Sequence, residues 1–182
     1  MRKTGILMPV SSLPSRTGVG EMGAEAYHFL TLLKESGIKI WQILPMNPVG
    51  YGNSPYQPYS SCAGDELYIS LDTLYEEGLL KERPEGFHEY ATKVDYDAVR
   101  LHKEPYLREA FQTFLTSGGC ETKDYQEFAD QSWVYEYGAF RALKKANGGC
   151  CWNEWKQEDK MWPDARTDLA PELETEVQYH MF

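Results

Sequence analysis

The sequence predicts an α/β fold, with a strand–helix–strand unit near its start and a mainly helical second half. Three observations carry this. Two short, predominantly apolar stretches, Ile6 to Val10 and Ile38 to Leu44, have strand length and meet prolines at Pro9 and Pro45. Between them, Ala26, Phe29, Leu30 and Leu33 recur at helical spacing. Beyond residue 100, apolar stripes of the same period alternate with Gly-Gly breaks at Gly118-Gly119 and Gly148-Gly149.

In chain order, Ile6-Leu7-Met8-Pro9-Val10 reads as a strand buried on both faces, because its apolar run is continuous. A Gly/Ser/Pro-rich loop from Ser11 to Gly23 follows. The helix runs from about Ala24 to Ser36, with Gly37 as a natural C-terminal stop. Ile38 to Leu44 gives the second strand. A strand, a helix and a strand within about 40 residues predict a βαβ unit with parallel strands and a right-handed crossover. Leu67 to Leu71 reads as a third extended run, and Leu74 to Leu80 as a helical turn ending near Gly78. Lys81 to Val94 is charged and irregular.

In the second half, Pro105 is placed at the first position of a helix carrying Leu107, Ala110, Phe111 and Phe114. Tyr125 and Phe128 mark a short helix, and Trp133, Tyr137 and Phe140 another, ending near Asn147. A last helix starts at about Pro171, with Glu172, Glu174 and Glu176 near its positive end and Leu173, Val177 and Met181 on one face. Trp152 and Trp155, three residues apart, are expected on one helix face. With Trp162, they read as the core of a small helical subdomain more readily than as a sugar platform.

Whole-chain properties exclude several functions. The 182 residues carry 18 basic and 28 acidic side chains, a net charge of −10 that opposes nucleic acid and anionic membrane as partners. No window reaches the roughly 18 apolar residues of a membrane span. Pro9 ends the first apolar run too early for a signal peptide, so the expected location is cytoplasmic. Cys62, Cys120, Cys150 and Cys151 lack C-x-x-C spacing, which predicts reduced thiols and no metal site. His28, His88, His102 and His180 are scattered.

One segment stands apart. Gly50 to Ser61 holds three tyrosines, two prolines and two glycines among small polar residues. This composition suits a stiff exposed loop. Aromatic faces there can stack on the C–H face of a pyranose, while amides and hydroxyls read its OH groups. The loop follows the C-terminal end of the second strand, where α/β folds bind ligands. Packing of the loop on its own domain is the alternative.

Several blocks in order resemble the N-terminal part of the 4-α-glucanotransferases, the amylomaltase or disproportionating-enzyme family (glycoside hydrolase family 77). They are Gly5-Ile6-Leu7-Met8-Pro9-Val10-Ser11-Ser12-Leu13-Pro14, Gly18-Val19-Gly20-Glu21-Met22-Gly23, Trp41-Gln42-Ile43-Leu44-Pro45, Ser54-Pro55-Tyr56-Gln57 and Ala63-Gly64. The resemblance implies the first part of a (β/α)8 TIM barrel. Residues 1–80 would supply its first strands, helix and substrate loop. Residues 81–182 would form a mainly helical subdomain, ending before the third barrel strand.

The implied activity moves a segment of an α-1,4-glucan to the 4-OH of another glucan or glucose, in starch, glycogen and maltose metabolism. It is a retaining double displacement without cofactor, using two carboxylates about 5 Å apart. The partners implied are maltooligosaccharides and the remainder of the barrel. The resemblance assigns no catalytic residue here: Glu21, Asp65, Glu66 and Asp72 match no catalytic position, and the carboxylates are expected beyond Phe182. It makes Tyr56 the tyrosine lining the donor-sugar site, with Ser54, Asn53 and Gln57 as flanking OH contacts. Tyr51 matches a tyrosine of a second, surface glucan site. Asn53, Cys62, Asp65 and Met8 depart from the usual Asp, Phe, Asn and His or Leu. An inactive fragment is the leading expectation, with a noncatalytic glucan-binding module and half of a complementing pair as alternatives.

Overall fold

Strands β1 (Gly5–Leu7) and β2 (Ile40–Gln42) pair in parallel, with Gly5 opposite Ile40, Ile6 opposite Trp41 and Leu7 opposite Gln42. Helix α1 (Ala24–Glu35) connects them, as the apolar periodicity predicts. The computed structural model describes residues 2–88, 92–164 and 168–182. By packing, the chain divides into two compact units, Met1–Phe114 and Leu115–Phe182.

In the first unit both strands are shorter than their apolar runs. Pro9 has no N–H to donate, and Val10–Ser12 turns into a 3-10 helix directly after it. Two further backbone bonds, Lys39 N–H to Thr4 O and Met8 N–H to Gln42 O, extend the pairing at either end. The expectation of burial on both faces is corrected: Leu7 is 59% exposed and Ile40 46%. The alternate residues Ile6 and Trp41 are half-buried. Helix α1 turns Ala26 and Leu33 inward, leaves Phe29 partly covered and exposes Leu30. Val10, Leu13 and Ala26 form a small core with Phe29, Trp41, Met46 and Tyr68. The Trp41 indole N–H donates to Met8 O at 2.8 Å, fixing the ring across the strand pair. Gly37, at φ 73°, stops α1 as expected.

The extended run expected at Leu67–Leu71 is absent. Asp65 accepts a hydrogen bond from Leu67 N–H at 2.9 Å, and Glu66–Tyr68 winds into a 3-10 helix. Ser70 then caps α2 (Leu71–Glu76) by accepting from Thr73 N–H. Two side-chain caps outweigh the strand-like composition of this stretch.

Helix α3 (Tyr96–Thr116) starts nine residues before Pro105, which lies inside it. Asp95 accepts from Ala98 N–H at 3.1 Å and supplies the earlier start. Pro105 deprives the Leu101 carbonyl of its helical donor. Both residues lie on the exposed face, where water can serve that carbonyl. On the opposite face Val99, Lys103, Leu107, Ala110 and Phe111 are buried.

The second unit is helical: α4 (Lys123–Ala129), α5 (Ser132–Ala146), α6 (Gln157–Lys160) and α7 (Pro171–Met181). Helices α5 and α7 approach closely at Gly138, where a Cβ would lie 2.9 Å from Val177 O. Ala139, Ala142 and Val177 form its core with Tyr135, Trp162, Leu173 and Met181 around them. The shared face expected for Trp152 and Trp155 is corrected. A 3-10 turn at Trp152–Glu154 buries Trp155 against Phe140 and leaves Trp152 57% exposed. All four cysteines are free thiols. Among the described residues no helix is long and apolar enough to cross a membrane.

Candidate functional site

The tyrosine-rich segment is a loop with a closed neck. At its base Asp65 N–H donates to Met46 O at 2.8 Å, and the Asn47 amide donates to Ala63 O at 2.9 Å. Higher up, Val49 and Pro58 form an antiparallel bridge. Tyr59 N–H donates to Pro48 O at 2.8 Å, and Gly50 N–H to Gln57 O at 3.3 Å. Its tip is a β-turn over Ser54–Gln57, closed by Gln57 N–H to Ser54 O at 3.1 Å. Pro55 occupies the second turn position, where its fixed φ is already suitable.

Within that turn Tyr56 is 71% exposed. An aromatic ring of this size held out on a proline turn is available to a ligand. Ser54 Oγ lies 3.4 Å from Tyr56 N–H and bounds the turn. Gln57 is exposed, and Ser54 and Asn53 are partly covered. Asn53 takes φ 52° and follows Gly52 at φ 81°; both residue types tolerate this left-handed conformation. Tyr59 lies against Gly50, where a Cβ would meet its ring at 3.2 Å, so this tyrosine packs within the loop. The backbone of Tyr51 lies in the turn Tyr51–Asn53. Its side chain is outside the described residues.

The four acids near the loops all face cations. Glu21 Oε1 lies 2.7 Å from Lys103 Nζ, and Asp65 Oδ2 lies 2.7 Å from Arg100 Nη2. Glu66 Oε1 lies 2.7 Å from Arg100 Nη1. Asp72 pairs with Arg83 at 2.9 Å and Arg16 at 3.5 Å. These carboxylates serve as structural ion pairs.

Lys103 is the centre of the buried network. Its side chain is 1% exposed, and its ammonium donates to Glu21 Oε1, Leu67 O at 2.7 Å and Ile69 O at 2.6 Å. Thr17 Oγ1 donates to the same Glu21 oxygen at 2.5 Å. All three ammonium protons therefore have partners. Burial pushes the Lys103 pKa down from its ordinary value, and the Glu21 carboxylate works against that shift. One helical turn earlier, Arg100 holds the Asp65 carboxylate with two nitrogens, at 3.0 and 2.7 Å. Helix α3 thus grips both the loop after β1 and the loop after β2.

Composition and motif spacing do not distinguish this pair of cations. Its signal lay in the helical stripe itself: Val99, Lys103, Leu107 and Ala110 follow one another at helical spacing, with a lysine among apolar positions. A helix starting at Pro105 would leave Val99 and Lys103 outside that stripe, whereas α3 includes both. Among the described residues, no three His, Cys, Asp or Glu side chains are grouped to hold a metal ion.

Comparison with known proteins gives one consistent result. A family model described as 4-alpha-glucanotransferase matches residues 8–182. The 4-alpha-glucanotransferases of Synechocystis sp. and Thermus thermophilus are each 39% identical over the whole chain. The chain spans 37% of the length of each of these two relatives. A solved structure, amylomaltase from Streptococcus agalactiae in complex with acarbose, superposes on 100% of the chain at a TM-score of 0.88 and 29% identity. The chain covers 38% of that protein.

Proposed function

This chain belongs to the 4-alpha-glucanotransferase family, and on that premise we propose that it contributes a substrate-binding wall to a glucan-transfer enzyme. The reaction moves a segment of an α-1,4-glucan to the 4-OH of another glucan or glucose by a retaining double displacement. The observation that carries this reading is similarity along the whole chain to enzymes of this one activity.

The tyrosine loop supplies the contact. Tyr56 packs its ring on the donor glucose and holds it in a reactive pose, while Ser54, Asn53 and Gln57 offer polar groups to its hydroxyls. Tyr51 belongs to a second glucan contact. The exposed turn at Ser54–Gln57 supports this assignment.

Residues 1–80 form the opening strands, helix and substrate loop of a (β/α)8 barrel, and residues 81–182 a mainly helical subdomain. The parallel pairing of β1 with β2 supports the barrel, as do the apolar strand residues left open to further packing, Leu7 and Ile40. No catalytic role is assigned to Glu21, Asp65, Glu66 or Asp72, the acids nearest the loops: they match no catalytic position of the resembled family, and each is held in an ion pair. A polypeptide of these residues alone is expected to bind glucan without turning it over.

The test is a maltoheptaose titration read by tyrosine and tryptophan fluorescence, beside a maltotriose disproportionation assay. Tyr56→Ala is expected to weaken binding about tenfold, the equivalent of ~1.4 kcal/mol. Equal responses from wild type and Tyr56→Ala would remove Tyr56 from the site. Disproportionation by the purified 182-residue chain would overturn its assignment as noncatalytic by itself.

A further inference from the structure

We propose that Arg100 is a positioning residue for the glucan site, acting through Asp65 on the neck of the tyrosine loop. The proposal rests on the glucan-binding reading of that loop.

The argument starts from how completely Asp65 is used. Its side chain is 2% exposed, and both of its oxygens accept two hydrogen bonds. Oδ1 accepts from Leu67 N–H at 2.9 Å and from Arg100 Nη1 at 3.0 Å. Oδ2 accepts from Arg100 Nη2 at 2.7 Å and from Val49 N–H at 3.3 Å. Val49 is the residue at which one arm of the loop begins its bridge to Pro58. The same residue, Asp65, donates its own N–H to Met46 O. One buried carboxylate therefore joins the two ends of the loop and the turn that follows it.

Such a carboxylate needs a cation. Desolvating it against backbone N–H groups alone leaves its charge uncompensated. Arg100 supplies the compensation in a forked geometry, which fixes direction as well as distance. Its Nη1 also reaches Glu66 Oε1 at 2.7 Å, tying the guanidinium plane to the residue after Asp65. Helix α3 holds Arg100 in place, because Lys103, one turn on, is locked by its own three bonds. The tip of the loop carries Tyr56 on a rigid Pro55 turn, so a neck that tilts carries the ring with it. Arg100 does not reach the loop tip itself. Its effect on glucan binding runs through Asp65.

The experiment uses the intact chain and two readouts. Amide hydrogen exchange is followed by residue for wild type, Arg100→Met, Arg100→Lys and the pair Asp65→Asn and Arg100→Met/Asp65→Asn. Maltoheptaose affinity is measured on the same proteins. Arg100→Met is expected to speed exchange at residues 47–59 about fivefold or more while amides of α5 and α7 keep their rates. Arg100→Lys should restore part of the protection, since a lysine returns the charge but not the fork. The double variant should exchange about as fast as the faster single variant, well short of the sum of the two effects, because both changes break one contact. Maltoheptaose binding should weaken about fivefold in Arg100→Met, tracking the exchange.

Unchanged exchange in the neck of Arg100→Met, or a uniform rise through α5 and α7 as well, would overturn the clamp. Neck exchange that rises while maltoheptaose affinity stays at the wild-type value would overturn its role in positioning. A wild-type chain that does not respond to maltoheptaose would instead overturn the glucan reading of the loop, and the exchange data would still decide the clamp. Should Arg100→Met fail to fold, Arg100→Lys and Asp65→Asn carry the same comparison.

Discussion

Lys103 and Glu21, 82 residues apart in sequence, meet at 2.7 Å in the interior of the first unit. The pair joins α3 to the glycine-rich loop between β1 and α1. A charge at this depth costs several kcal/mol to desolvate, and full hydrogen bonding of the ammonium offsets that cost.

Removing one partner is therefore more damaging than removing both. Lys103→Met should destabilise the protein by about 3 to 5 kcal/mol, because Glu21 is left buried and unpaired. Lys103→Met combined with Glu21→Leu should recover about half of that loss. Leu67 O and Ile69 O still lack their donor in the double variant, which limits the recovery. Urea unfolding of the three proteins measures this, and a double variant no better than the single one would contradict it.

His102 predicts an acid-sensitive stability. Burial lowers its pKa from 6.5; nearby Lys103 acts in the same direction, while Glu85 and Glu21 oppose. Its ring stacks on Phe87 at 4.5 Å. As pH falls through about 6.5, the unfolded chain takes up this proton before the folded one, so stability is full above that pH and declines below it. His102→Phe keeps a ring against Phe87 and removes the proton. Thermal unfolding across this pH range should show a smaller acid-side decline in the variant, and parallel curves would count against the assignment.

Tyr135 predicts the opposite limb. Burial and the hydrogen bond its hydroxyl donates to Glu174 Oε2 at 2.9 Å push its pKa from 10.0 up to about 12. Between those values the unfolded chain loses the phenolic proton and the folded one keeps it. Stability contributed by this group is therefore present below about pH 10 and is lost as pH rises toward about 12. A tyrosinate absorbance titration should lack one late-ionising tyrosine in Tyr135→Phe, whose alkaline unfolding should be correspondingly shallower.

The α5–α7 contact depends on the missing side chain at Gly138. Gly138→Ala would set a Cβ 2.9 Å from Val177 O and 3.0 Å from Val177 Cγ1. Overpacking costs about 1 to 3 kcal/mol, which exceeds the roughly 1 kcal/mol that alanine gains over glycine inside a helix. Urea unfolding should therefore show a net loss of stability. A gain would mean that the two helices separate without cost.

The sequence by itself determined the elements whose signals are local. The apolar period set α1, α5 and α7, Gly37 set the end of α1, and Pro55 with its small neighbours set the turn that carries Tyr56. The resemblance blocks were equally local, which is why the family was legible from residues 5 to 64. What the sequence did not reveal depends on partners far along the chain. The start of α3 at Tyr96, the 3-10 turn in place of a strand at Glu66–Tyr68 and the split environments of Trp152 and Trp155 follow from caps and packing. The assignment of Glu21 and Asp65 to Lys103 and Arg100 was decided by tertiary structure alone. A buried ion pair is specified by two side chains brought together through space, and no window of sequence contains both.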